Sequence, residues 1–90
     1  RIAERFADLS KEIPGLVAAQ IAIPPDSLYA GHTLGDTRAR TLTGASVVAV
    51  VRGETIIASP PPETPLNVGD VLVVIGTEAG ISGVRRIVGA

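Results

Sequence analysis

The sequence contains no cysteine, no methionine and no tryptophan, and only Phe6 and Tyr29 are aromatic among its 90 residues. Without cysteine there is no disulfide, no thiolate nucleophile and no sulfur-ligated metal. A predominance of one charge is missing too: eight lysines and arginines face nine acidic residues, for a net charge of −1. That balance argues against a broad basic surface for DNA or RNA, so neither is expected as a partner. The longest apolar runs, such as Val71–Ile75, fall far short of the ~20 residues that span a bilayer. No signal-peptide pattern appears. The chain opens at Arg1 and has no methionine, which predicts a piece of a longer protein.

What the chain does have is aliphatic content, 46% hydrophobic residues drawn mostly from Val, Ile, Leu and Ala. Ninety residues make one domain, near the low end of the size that supports its own core. Burying an aliphatic side chain is worth roughly 1.5–3 kcal/mol, but so small a chain leaves much of its surface exposed. Self-association into a dimer is the expected remedy.

Ile2, Phe6 and Leu9 recur at helical spacing, which predicts a short amphipathic helix ended by Pro14-Gly15. Leu16–Ile23 reads as a strand closed by Pro24-Pro25-Asp26, with a brief extended piece at Ser27–Ala30. Leu34–Leu42 predicts a short helix or helical turn, with Thr33 as its cap, Asp36 in the first turn and Gly44 as its end. Ser46–Arg52 is strand-like, and Arg52-Gly53-Glu54 is a tight turn into a second strand, Thr55–Ser59. Pro60, Pro61 and Pro62 cannot donate to a ladder and mark a loop or an edge. Asn67-Val68-Gly69-Asp70 forms a further turn into Val71–Ile75, whose unbroken apolar run predicts a fully buried strand ended by Gly76. Thr77 caps a final helix from Glu78 to about Val88, in which Gly80 and Gly83 each cost up to ~1 kcal/mol relative to alanine. The sum is a small α+β sandwich without internal repeats.

Few residues offer chemistry. His32, the sole histidine, has only Thr33 and Asp36 near it, and a solvated turn histidine accounts for it. His32, Asp36 and Asp26 show no metal-ligand spacing, so no metal, no catalytic residue and no enzyme activity are expected. Asp70 is read as closing an Asx-type turn, Glu54 and Glu63 as solvated loop tips, and Arg85-Arg86 as complementing the last helix's dipole. Arg38 and Arg40 differ from these. They precede a small-residue strand start, Gly44-Ala45-Ser46, where an anion can reach the backbone, and guanidinium forks match phosphate oxygens. A solvated basic helix end is the competing reading of the same two residues.

Four elements in this order carry a resemblance: Gly31-Leu34-Asp36-Arg40, Thr43–Gly53, Ile56-Ile57-Ser59-Pro60, and Leu66-Gly69-Asp70-Leu72-Val74-Ile75-Gly76. Together they resemble the RCK-C domain, also called TrkA-C, over about Leu16 to Val88. The lead-in ADLSKEIPGLVAAQIAIP is similar to the soluble regulatory subunits of bacterial cation/proton antiporters. The resemblance implies an α+β fold with a mostly antiparallel sheet and flanking short helices, in a cytoplasmic homodimer. It implies control of a potassium or other cation/proton antiporter subunit at the inner face of the membrane. It further implies that residues 1–15 lead in from an upstream domain and that residues 16–90 form the RCK-C domain. Several such domains bind cyclic di-AMP between two subunits. Transferred to this chain, the implied ligand-binding set is Leu34, Arg38, Arg40, Ala45, Ser46, Val47, Val48, Ile57 and Pro60, with Ser46 standing where some members carry asparagine. No cofactor is implied beyond that ligand. A dimerisation module with no ligand of its own is the alternative.

Overall fold

The structure is a computed structural model that describes residues 13–90. The helix expected around Ile2, Phe6 and Leu9 lies outside the described residues. Four strands form one sheet: β1 (Val17–Ala22), β2 (Ser46–Arg52), β3 (Thr55–Ala58) and β4 (Val71–Gly76). Their spatial order is β1-β4-β2-β3, and every neighbouring pair is antiparallel. Two helices accompany them, α1 (Ala39–Thr43) and α2 (Glu78–Val88). This is the small α+β architecture that the local pattern predicts, with the antiparallel sheet and flanking short helices that the resemblance implies.

Cross-strand partners share a face, and the pairings sort the strands into two faces. Ile21 opposite Leu72, Ala19 opposite Val74 and Val50 opposite Leu72 and Ile57 place these residues on one side. There they pack into a common core with Ile81, Val84 and Val88 of α2. The apolar spacing of α2 is therefore satisfied by burial, and Thr77 caps it by accepting from the Gly80 N–H at 3.0 Å. The opposite side carries Ile75, Val73 and Val71 of β4 beside Ala49 and Val51 of β2 and Ile56 of β3. Val73 and Ala49 are buried at its centre, whereas Ile56 is 54% exposed. Val71 and Ile75 are half-buried, so β4 is not the fully enclosed strand that its unbroken apolar run predicts, and Gly76 ends it from within.

Two local expectations are corrected. Ser27–Ala30 is not extended: Ser27 N–H donates to the Pro24 carbonyl and Ala30 N–H to the Ser27 carbonyl, as consecutive turns following the two prolines. Leu34–Leu42 is not one helix either. A 3-10 turn, Gly35–Thr37, is separated from α1 by Arg38 in the left-handed conformation, φ 50° and ψ 29°. Gly44, at φ 76°, ends α1 with its N–H on the Arg40 carbonyl, a left-handed position that glycine fills without a Cβ clash.

Both helices meet along glycines. A Cβ on Gly83 would lie 2.8 Å from Thr43 Cγ2, and one on Gly80 would lie 3.1 Å from the Thr43 carbonyl oxygen and 3.3 Å from Ala45 Cβ. The glycines that weaken α2 as an isolated helix are thus the places where α1 and the start of β2 come closest to it.

Candidate functional site

A cleft of about 450 Å³ opens between α1 with its preceding turn, the start of β2, and the proline loop. Leu34, Val47, Pro60 and Pro62 supply apolar wall, Thr37, Thr41 and Ser46 supply hydroxyls, and Arg38 and Arg40 supply charge. No carboxylate is among its lining residues. Within the described residues, neither arginine has an ion-pair partner. Both are exposed, so their charge faces the cleft and its mouth with no built-in neutralisation. A partly apolar anion is the kind of ligand such walls suit.

Each wall has a local reason. Thr33 and Asp36 hold the turn by reciprocal bonds: Thr33 N–H donates to Asp36 Oδ2 at 3.0 Å, and Asp36 N–H donates to Thr33 Oγ1 at 3.2 Å. These contacts, first the Thr33 N–H, then its hydroxyl, and lastly the nearby His32, hold the Asp36 carboxyl below its ordinary range. His32 Nδ1 lies 3.6 Å from Asp36 Oδ2 on the exposed side of this turn. Buried Thr37 donates its hydroxyl to the Leu34 carbonyl at 2.6 Å and accepts from the Ala39 N–H at 3.1 Å, joining the turn to α1. Thr43 repeats the device at the other end, donating to the Ala39 carbonyl and accepting from the Ala45 N–H.

The proline loop is held by its carbonyls, since prolines lack an N–H. Gly35 N–H donates to the Pro62 carbonyl and Leu34 N–H to the Thr64 carbonyl, each at 2.8 Å. Gly31 and Leu66 continue this pairing, and Thr33 bridges to Pro65. A Cβ on Gly35 would approach Pro62 Cβ to 3.0 Å, so glycine lets the two segments close on each other. Three prolines mark only a loop or an edge, and nothing local to them specifies this long-range pairing.

Of the residues implied as ligand contacts, Leu34, Arg38, Arg40, Ser46, Val47 and Pro60 line this one cleft. Ala45 does not: it is fully buried, with its Cβ packed beneath Gly76 and Gly80. Val48 is also outside the lining, because the pairing of β2 with β4 skips it in a bulge between Val47 and Ala49, and its carbonyl instead accepts from Ser59 N–H. Ile57 packs against the core from β3. Gly35, Thr37, Ala39, Thr41 and Pro62 line the cleft in addition, and their proximity depends on the turn–loop pairing just described.

Away from the cleft, Asp70 does more than shape a turn. Its carboxylate, 1% exposed, accepts from Arg52 Nε at 2.9 Å, from an Arg52 terminal nitrogen at 2.7 Å, and from the Asn67 N–H at 2.8 Å. The bond runs back to Asn67, three residues earlier, rather than forward as in the expected Asx turn. Arg52 also donates to the Pro65 carbonyl. The Arg52 guanidinium holds the Asp70 carboxyl below its ordinary range, against a smaller upward push from burial. The sequence places Arg52 at the end of a strand and the start of a turn, and nothing local ties it to a residue eighteen positions away. Among the described residues, no cluster of metal-ligating side chains forms. No helix of the described residues is long and apolar enough to cross a membrane.

A four-stranded antiparallel sheet with a glycine-docked helix pair, a bulged strand and an arginine-bearing cleft defines a small α+β domain with a candidate anion site. The family model described as the TrkA-C domain matches residues 18–89, and the chain belongs to that family. The chain is similar to potassium channel protein 1 of Methanocaldococcus jannaschii, at 40% identity across an alignment of 100 positions covering 84% of this chain and 30% of that protein. It is also similar to the Ktr system potassium uptake protein C of Bacillus subtilis, at 37% identity over 62 residues covering 69% of this chain and 28% of that protein. The chain therefore spans less than a third of the length of these curated relatives. Among solved structures, the RCK_C domain dimer of S. agalactiae BusR in complex with c-di-AMP matches with a TM-score of 0.75 and 25% identity, covering 83% of this chain and 93% of that one.

Proposed function

We propose that this chain is the ligand-binding regulatory domain of a potassium-transport protein, and that it binds cyclic di-AMP in the Arg38–Arg40 cleft as a homodimer. The observation that carries the reading is a cleft with two arginines, no opposing carboxylate and apolar walls, in a fold shared with a c-di-AMP-bound dimer. Arg40 meets a phosphate. Leu34, Val47 and Pro60 lie against an adenine, a face-to-face apolar contact that needs no aromatic partner. Ser46 offers its hydroxyl to the base edge.

The second face of the sheet supports the dimer. Its aliphatic residues Val71, Val51 and Ile56 are only partly covered within one chain. Ser46 pairs with Ile75 on that face and also lines the cleft. A partner copy covering the face would thus reach the ligand. Two copies related by a two-fold axis offer matching arginines to a ligand that has the same symmetry.

Residues 16–90 form the domain in this reading, and residues 1–15 lead in from an upstream region. The ligand alters the relative orientation of the two copies by binding one arrangement better than the other, and the attached transporter at the inner face of the membrane responds. The lead-in resemblance points to a cation/proton antiporter as that transporter, while the two relatives are a potassium channel protein and a potassium uptake protein. The two relatives share potassium movement.

Isothermal titration calorimetry with cyclic di-AMP tests the site. Binding at micromolar or tighter affinity, weakened about tenfold or more in Arg40→Ala, is the expected result, with each tenfold step worth about 1.4 kcal/mol. No heat at high ligand concentration would remove the reading. A ligand-free dimerisation module is the second reading, favoured by the aliphatic sheet face itself. It predicts a thermal midpoint unchanged by cyclic dinucleotides, because any ligand of the native state must raise stability.

A further inference from the structure

Arg38 and Ser59 are the non-glycine residues with positive φ among the described residues, at 50° and 49°, and they flank the cleft from opposite walls. Arg38 lines it directly, and Ser59 precedes Pro60, which lines it from the other side. In the left-handed region a long side chain is strained relative to glycine, which has no Cβ, and to asparagine, whose short polar side chain can bond the local backbone. Arg38 is the junction between the 3-10 turn and α1, and its own side chain makes no capping bond there. The capping at this junction comes from Thr37, whose hydroxyl accepts from the Ala39 N–H. Asparagine or glycine would suit the backbone of position 38 better, and an arginine there must be explained by its side chain. That side chain is exposed, has no ion-pair partner among the described residues, and stands two positions from Arg40 along the same cleft wall.

From the strained backbone and the unpaired charge together, we infer that Arg38 is a specificity-determining residue that supplies a second guanidinium to the anion, at the expense of fold stability. The left-handed turn redirects the chain between Thr37 and Ala39, so the 3-10 turn and α1 present successive side chains to one cleft instead of continuing around a single helix. One arginine per cleft would hold one phosphate. Two make the cleft discriminate in favour of ligands that place more negative charge, or more phosphate oxygens, at this wall. The inference deepens the proposed anion site and rests on the cleft of that reading, but it does not require the anion to be a cyclic dinucleotide.

Position 38 is tested by substitutions that separate strain from charge. Arg38→Asn keeps a residue tolerant of the left-handed region and removes the charge. Arg38→Lys keeps the charge and the strain. Thermal unfolding and ligand titration are measured on both, with cyclic di-AMP and, separately, inorganic pyrophosphate as probes. Arg38→Asn is expected to melt higher than the wild type by about 4–8 °C, the shift that relief of about 1 kcal/mol gives in a domain of this size. The same variant binds about tenfold more weakly, and the loss shrinks as salt screens the contact. Arg38→Lys recovers part of the affinity and none of the stability. If wild type binds pyrophosphate but not cyclic di-AMP, and Arg38→Asn weakens that binding, the role of Arg38 stands and the cyclic dinucleotide assignment falls. If wild type binds cyclic di-AMP and Arg38→Asn binds it equally well, the role of Arg38 is overturned and the ligand assignment stands. Binding of neither probe overturns both. A lower melting point in Arg38→Asn overturns the strain on which the inference rests.

Discussion

Placing a methyl group at position 83 sets two known effects against each other on one residue. Gly83 lies inside α2 and is buried, and helix propensity alone makes Gly83→Ala worth about 1 kcal/mol of stabilisation. Tertiary structure opposes it: the new Cβ would stand 2.8 Å from Thr43 Cγ2, about 1 Å inside an ordinary carbon–carbon contact. Thr43 cannot simply rotate away, because its hydroxyl is committed at 2.6 Å to the Ala39 carbonyl and at 3.0 Å to the Ala45 N–H. Overpacking of this kind costs about 1–3 kcal/mol. With a middle value of about 2 against a gain of about 1, Gly83→Ala should destabilise by about 1 kcal/mol. That corresponds to a fall of about 4–8 °C in thermal midpoint for a domain this small. Thr43→Ser removes Cγ2 while keeping the hydroxyl bonds. In that background Gly83→Ala should become neutral or stabilising, so a double-mutant cycle by urea unfolding should show a coupling of about 1–3 kcal/mol. Equal effects of Gly83→Ala in both backgrounds would refute the close approach of α1 to α2. The two cleft arginines ride on or beside α1, so the same variant should also weaken ligand binding, and Thr43→Ser should restore it.

Acid should loosen the fold through Asp70. Its carboxyl titrates lower in the folded chain than in the unfolded one, where ~3.9 is ordinary. The stability it contributes is therefore fully present above about pH 4 and is lost as the pH falls through the lower folded value. Asp36, shifted in the same direction, adds the same sign. Urea midpoints measured at neutral pH and at about pH 3 should fall in the wild type and fall less in Asp70→Asn, which starts lower; parallel declines would remove Asp70 from the account. Leu66→Ala should cost about 2–5 kcal/mol in denaturant unfolding, since Leu66 is fully buried and its backbone pairs with Gly31 and His32 behind the cleft. A loss under 1 kcal/mol would show that the proline loop does not anchor the cleft wall.

Local pattern determined most of the elements. The β-branched apolar run of Ser46–Arg52, the cap at Thr77 and the apolar spacing from Glu78 to about Val88 correspond to β2 and α2. These are short-range signals, set by a few neighbouring side chains and the handedness of the backbone. The family resemblance likewise rested on an ordered set of such local signals, and it named six residues that line a common cleft. Position in sequence could not separate these six from Ala45, Val48 and Ile57. Strand parity, a bulge and the glycine contacts with α2 decide which way each of the three faces.

Tertiary structure alone decided the rest. Arg52 reaches Asp70 because β2 and β4 are neighbours with Val51 opposite Val71. The proline loop becomes a cleft wall because its carbonyls meet N–H groups about thirty positions earlier. The break at Arg38 arises where two short helical pieces must each satisfy a different partner. Propensity and periodicity are sums over adjacent residues, so they predict strands and helices. Which distant groups share a hydrogen bond, and therefore where a cleft opens, depends on packing that no window along the chain contains.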